Sequence, residues 1–135
     1  MVSGTPGIPL VKQLTLRDGM RVWFDAMPEP VIDEIDEYAL KLVFVADPAE
    51  IIDAAHIFVT ERASLEAKLG LLRHQITLDG QIWVSWPSAP RNVPSDVCED
   101  LIREIALPLG LIDTKLCTIG NEWSCIKLVI RKDLR

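Results

Sequence analysis

No apolar run in this 135-residue chain approaches the roughly 18 residues of a membrane helix, so no span is expected despite a mean hydropathy of +0.21. The opening MVSGTPGIPL lacks a basic stretch followed by an apolar core, so it is not read as a secretory signal. Clustered lysine and arginine, which displace counterions from polyanions, are absent, and nucleic acid is not an expected partner. There is no CxxC pair. The three cysteines, Cys98, Cys117 and Cys125, cannot all pair within one chain, and without a leader the expected compartment is a reducing cytoplasm. The two histidines, His56 and His74, fall in different expected elements, so neither a structural zinc site nor another metal site is expected. Internal repeats and low-complexity segments are also missing, and the composition excludes disorder and collagen.

What is present suits one domain. The chain is 49% hydrophobic and 25% charged, and a globular chain of this size buries about two-thirds of its unfolded surface without disulfide or metal staples. The formal charge is −6. Between Asp25 and Glu61 there are ten acids against one base, Lys41, so that stretch carries −9 and the remainder +3. A solvated acidic face that aids solubility is favoured over a site for a basic partner.

Residues 1–15 read as an arm and 16–135 as a single α/β domain. Strands are expected at residues 20–26, 40–46, 55–59 and 81–86, the first closed by Pro28 and Pro30. Between them, residues 31–39 show a one-sided helix pattern. Residues 47–54 read as a short helix with Asp47 as N-cap and Pro48 at the first position. Thr60 is the expected cap of a helix carrying Leu65, Leu69, Leu72 and Ile76 on one face, ended by the turn Asp79-Gly80. After a three-proline loop, Ser95 or Asp96 caps a helix burying Val97, Leu101, Ile102 and Ile105, which Pro108 and Gly110 end. Two strands then flank Gly120-Asn121. A two-residue type II′ loop sets Cys117 opposite Ser124, whereas a three-residue loop sets it opposite Cys125. Strands alternating with helices and ending in a hairpin argue a three-layer, mainly parallel sheet with an antiparallel C-terminal edge.

The run from Ile82 to Pro87 and from Ser95 to Lys132 resembles a family of small bacterial proteins known as a domain of unknown function. The matching residues are Trp86-Pro87, Ile102-Arg103-Glu104, Gly110-Leu111, Asp113, Lys115, Cys117, Trp123-Ser124, Lys127 and Arg131, with Gly19, Met20 and Val22 at the first strand. Relatives tend to carry lysines after the Trp-Pro pair, where this chain has Ser88-Ala89-Pro90-Arg91. The order of elements also resembles an S-adenosylmethionine-dependent methyltransferase domain with one strand missing. That resemblance implies a six-stranded Rossmann-like sheet in the order 2-1-3-4-6-5.

Ligands in such folds sit beyond the carboxyl ends of the strands. The candidate ligand-binding residues are therefore Asp25, Met27, Asp47, Thr60, Glu61, Trp86 and Arg91, with Asp47 placed to hold a ribose and Trp86 to stack on a planar ligand. A nucleotide cofactor needs glycines in the first strand–helix loop so that bare backbone can approach it. This chain has Asp25-Ala26-Met27-Pro28-Glu29-Pro30 there. Asp47 is more simply a cap, Trp86 a buried sheet residue, and Cys98 a buried, inert thiol. No residue is identified as catalytic. The expectation is a non-catalytic Rossmann-like module without a cofactor that binds a small molecule or a protein around residues 86–91 and the hairpin. A minimal methyltransferase using S-adenosylmethionine is the alternative. Open sheet edges leave room for a homodimer.

Overall fold

A computed structural model describes residues 8–47, 50–88 and 94–135. Pro48, Pro90 and Arg91 lie outside the described residues. The elements in chain order are α1 (Leu10–Gln13), β1 (Arg21–Asp25), α2 (Glu29–Asp36), β2 (Val43–Phe44), β3 (Ile52–Phe58), α3 (Arg62–Gln75), β4 (Ile76–Pro87), α4 (Glu99–Ala106), β5 (Leu111–Ile119) and β6 (Trp123–Ile130). Single 3-10 turns follow α4 at Leu107–Leu109 and end the chain at Lys132–Leu134. The six strands form one sheet in the order β2-β1-β3-β4-β6-β5, the order that the methyltransferase resemblance implies. β2, β1, β3 and β4 run parallel, and β6 and β5 pair antiparallel.

The central strands are buried on both faces, and alternate residues serve two cores. On one face Ala55 and Ile57 of β3, Ile82 and Val84 of β4, and Ile126 and Leu128 of β6 meet Leu65, Leu69 and Leu72 of α3 and Ile102 of α4. The 4- and 3-residue steps of the α3 leucines give them one helical face. On the other face Ala54, Phe58, Trp83 and Cys125 meet Leu10 and Val11 of α1 and Val31 and Ile35 of α2. The chain from Ile8, read as part of an arm, packs into this second core. Gln81 Nε2 and Trp83 Nε1 both donate to the Leu14 carbonyl, at 2.7 and 3.0 Å, and Lys115 Nζ donates to the Gln13 carbonyl at 2.9 Å.

Several local expectations are corrected. The expected second strand contracts to Val43–Phe44, an exposed edge pair with a partner on one side only. Among the described residues of the helix expected at 47–54 none is helical. Ile52 already belongs to β3, where its fully buried side chain gains more from the core than a short exposed helix would supply. Asp47 therefore caps no helix. Glu61, not Thr60, is the N-cap of α3, and Cys98, not Ser95 or Asp96, is that of α4; neither makes a side-chain cap bond. Glu99 and Asp100 supply negative charge to the first turn of α4 instead. Ser95 Oγ accepts from the Val97 amide at 3.1 Å. Cys98 is exposed, contrary to expectation. Asp79-Gly80 is no chain reversal: β4 runs through it, with an irregularity in its pairing to β3 between Ile52 and Ala54. The hairpin takes the three-residue loop, because Ile119 pairs with Trp123 and Cys117 pairs with Cys125. Gly120, at φ 59, supplies the left-handed position this loop uses.

Two glycines should respond oppositely to substitution. A Cβ on Gly80 would collide with Ile76 Cγ1 and would lie 2.9 Å from the Asp53 carbonyl oxygen. Gly70 lies inside α3 with open space around its missing Cβ. Gly80→Ala should cost about 2 kcal/mol of unfolding free energy, and Gly70→Ala should add about 0.5–1 kcal/mol. Urea denaturation of the two variants measures both.

Candidate functional site

The carboxyl ends of β1, β3 and β4 point to one rim, where a three-layer parallel sheet offers its ligand crevice. Asp25 ends β1 and forms an ion pair with Lys68 of α3; both side chains are about a quarter exposed, at 26% and 29%. Directly after it, Ala26 adopts φ 57, a left-handed conformation that usually falls to glycine. The loop thus keeps the sharp backbone turn without a bare backbone, since the Ala26 methyl remains. Met27 is buried in the second core among Val31, Ile35 and Phe58, and points inward rather than to the rim. Asp47 is exposed beyond β2.

The other candidates divide. Thr60 and Glu61 sit at the β3–α3 turn, where the Thr60 carbonyl accepts from the Asp96 amide at 2.8 Å. Trp86 is 9% exposed and belongs to the first core, so it presents no free stacking face. At the end of β4 the Ser88 amide donates to the Glu122 carbonyl at 3.0 Å, and Pro87 pairs with Trp123. The two described ends of the proline-rich loop are therefore tied to the β3–α3 turn and to the hairpin. Arg91 lies outside the described residues. The structure brings Asp25, Thr60, Glu61 and the hairpin to one rim, and it removes Met27 and Trp86 into the cores.

A cavity of about 410 Å³ opens at the opposite end of the sheet, lined by Arg17, Asp18, Asp53, Thr77 and Asp79 among others. Asp53 Oδ2 accepts from the Arg21 amide at 2.8 Å, so this carboxylate serves to hold β1 against β3. Among the described residues no group of three or more His, Cys, Asp or Glu side chains is arranged to hold a metal ion. No described helix is long and apolar enough to cross a membrane.

The second core holds a polar row that periodicity does not reveal. His56, Ser85, Cys125 and Cys117 come from the four adjacent strands β3, β4, β6 and β5. His56 Nε2 lies 2.6 Å from Ser85 Oγ, Ser85 Oγ lies 3.0 Å from Cys125 Sγ, and Cys117 is the residue directly opposite Cys125 in the ladder. Phe58 stacks on the imidazole at a 4.6 Å centroid separation. His56 Nδ1 is buried without a partner. A neutral imidazole carries one N–H, and a bare buried acceptor costs less than an orphaned donor. The proton therefore sits on Nε2, and the donors run one way: His56 to Ser85 and Ser85 to Cys125. The sequence signal available for this row was the run of small or polar residues at facing positions of otherwise apolar strands.

Comparison with solved structures yields methyltransferases. TrmN from Thermus thermophilus matches with a TM-score of 0.55 at 14% identity, over 90% of this chain and 47% of that one. A precorrin-6y methyltransferase from Geobacter metallireducens GS-15 matches at 0.55 and 10%, over 89% and 84%. Magnesium protoporphyrin IX methyltransferase from Synechocystis PCC 6803, solved with bound SAH, matches at 0.55 and 12%, over 90% and 78%. The fold is methyltransferase-like. This chain spans about half the length of the Thermus protein. No family model matches the chain, and no curated protein does, so the motif resemblance to the domain of unknown function rests on the quoted residues alone.

Burial lowers the His56 pKa from 6.5 to about 3, because the imidazolium would lose its hydration. The unfolded chain takes up a proton near 6.5 and the folded chain does not until about 3. Stability is therefore full above about pH 6.5 and falls by about 1.4 kcal/mol per pH unit below it. Lowering the pH from 7 to about 4.5 should remove about 3 kcal/mol. Denaturant titrations at the two pH values should show this loss in the wild-type chain and a shallower pH slope in His56→Gln.

Proposed function

We propose that this chain is a methyltransferase-fold binding module that does not transfer methyl groups, working through its rim at Thr60, Glu61, Ser88 and the β5–β6 hairpin. One observation carries this reading: the first strand–helix crossing is filled by the chain's own side chains. Lys68 neutralises Asp25, Met27 fills the core beneath, and the Ala26 methyl stands where backbone alone would admit a nucleotide. The ligand is a small molecule or a protein segment bound without a cofactor. A reducing cytoplasm belongs to the same proposal and rests on the three free cysteines. So does the motif family, and a homodimer joined through one of the open edge strands, β2 or β5.

A minimal S-adenosylmethionine-dependent methyltransferase is the second reading, and the structural comparisons favour it over the first, since the reported neighbours are all methyltransferases. The left-handed Ala26 also keeps the backbone course of a cofactor loop. Under this reading Asp47 holds the ribose, with Asp25 and Glu61 near the cofactor. What weighs against it is chemical: Asp25 is already paired, and the likeness at 10–14% identity concerns the fold, which does not carry function.

Thermal denaturation with increasing S-adenosylhomocysteine separates the two. No shift of the midpoint is expected under the first reading. A saturable rise that disappears in Asp47→Ala would establish the second and overturn the first.

A further inference from the structure

Cys117 and Cys125 are directly opposed on antiparallel strands, a pairing imposed by the three-residue hairpin loop. Directly opposite residues in such a ladder have Cα atoms about 4.5–5.5 Å apart, inside the ~4.4–6.8 Å that a disulfide spans. Both are free thiols. Both side chains lie on the same face, in or against the second core. The two thiols differ in access. Cys125 is fully buried on β6, whereas Cys117 is partly exposed on the edge strand β5. The third thiol, Cys98, is exposed at the start of α4, whose buried side packs against the other face of the sheet.

From this geometry we infer that Cys117 and Cys125 form a peroxide-sensitive dithiol site, in which Cys117 is the attacking sulfur and Cys125 the resolving one. The inference is independent of which functional reading holds. The difference in access assigns the roles, since Cys117 is the sulfur that solvent reaches and Cys125 lies behind it. The facing Cys125 thiol and the Lys115 ammonium both favour the Cys117 thiolate. Both lower the Cys117 pKa, while burial pushes the Cys125 thiol up and keeps it protonated.

In the first step the Cys117 thiolate attacks one oxygen of hydrogen peroxide. The O–O bond breaks, an S–O bond forms, and the departing hydroxide takes up the proton lost when the thiolate formed, giving water. Sulfur is oxidised by two electrons and peroxide is reduced by two. In the second step the Cys125 sulfur attacks the Cys117 sulfenic acid. The S–S bond forms, the S–O bond breaks, and hydroxide leaves with the Cys125 proton as a second water. Two thiols and one peroxide thus become one disulfide and two waters. The remainder of the row survives the change. The Ser85 hydroxyl, 3.0 Å from the Cys125 sulfur, can donate to that sulfur as a thiol or as a disulfide.

The test uses the intact wild-type chain and a modest excess of hydrogen peroxide. Titratable thiols under denaturing conditions should fall from three to one. Non-reducing digestion should yield Cys117 and Cys125 in one linked peptide, and dithiothreitol should restore all three thiols. In Cys98→Ser the count should fall from two to none. In Cys125→Ala the sulfenic acid at Cys117 should persist and be trapped by dimedone. Three remaining thiols, a product consisting only of Cys98-linked dimers, or over-oxidised Cys117 beside an alkylatable Cys125 would each overturn the proposal.

Discussion

Burial of β3, β4 and β6 on both faces is the constraint from which the rest of the structure follows. A strand covered on one side can point its polar residues to water, but the middles of these strands have no such side. A polar side chain buried there must find a partner inside the protein or impose a desolvation cost of roughly 1–3 kcal/mol. His56, Ser85 and Cys125 meet that requirement by bonding one another across three strands. The same requirement fixes the imidazole as neutral and gives the row its direction. The difference in access between Cys117 and Cys125 is likewise a consequence of packing.

The rim follows from the same sheet. Because β1 and β3 are parallel neighbours and their following helices, α2 and α3, cover opposite faces, the crossing after β1 falls at the opening between layers. In this chain the opening is occupied. Asp25, whose neighbours alternate between the cores, faces the α3 side and meets Lys68 there. Met27 turns the other way and closes the α2 side. An ion pair of this exposure contributes little to stability. Its consequence is for recognition: it commits the one acid that the fold presents at the end of β1.

The central strands and the two helix-bearing layers were legible in the sequence because each central strand is a continuous apolar run and α3 has leucines at helical spacing. The absent glycines after β1 were equally legible, and they carry the functional argument. The stretch from Asp47 to Ala54 was not, because Asp-Pro ahead of apolar residues reads locally as a capped helix while Ile52 and Ala54 are claimed by the sheet. Asp79-Gly80 failed for a related reason. The pair is a turn signal, yet here Gly80 fits a crowded irregularity within β4 that admits no Cβ.

By itself the sequence determined the periodicities, hence the α/β class with an antiparallel C-terminal edge, and it determined the residues of the first crossing; the strand order came from the resemblance. Only the tertiary structure decided the hairpin register, since Gly120-Asn121 is compatible with either loop length and a change of one residue switches the partner of Cys117. It alone also gathered His56, Ser85, Cys125 and Cys117 into a single row. Those residues are 69 positions apart at the extremes, 125 less 56, and what brings them together is the crossing of strands in space, which no local pattern encodes.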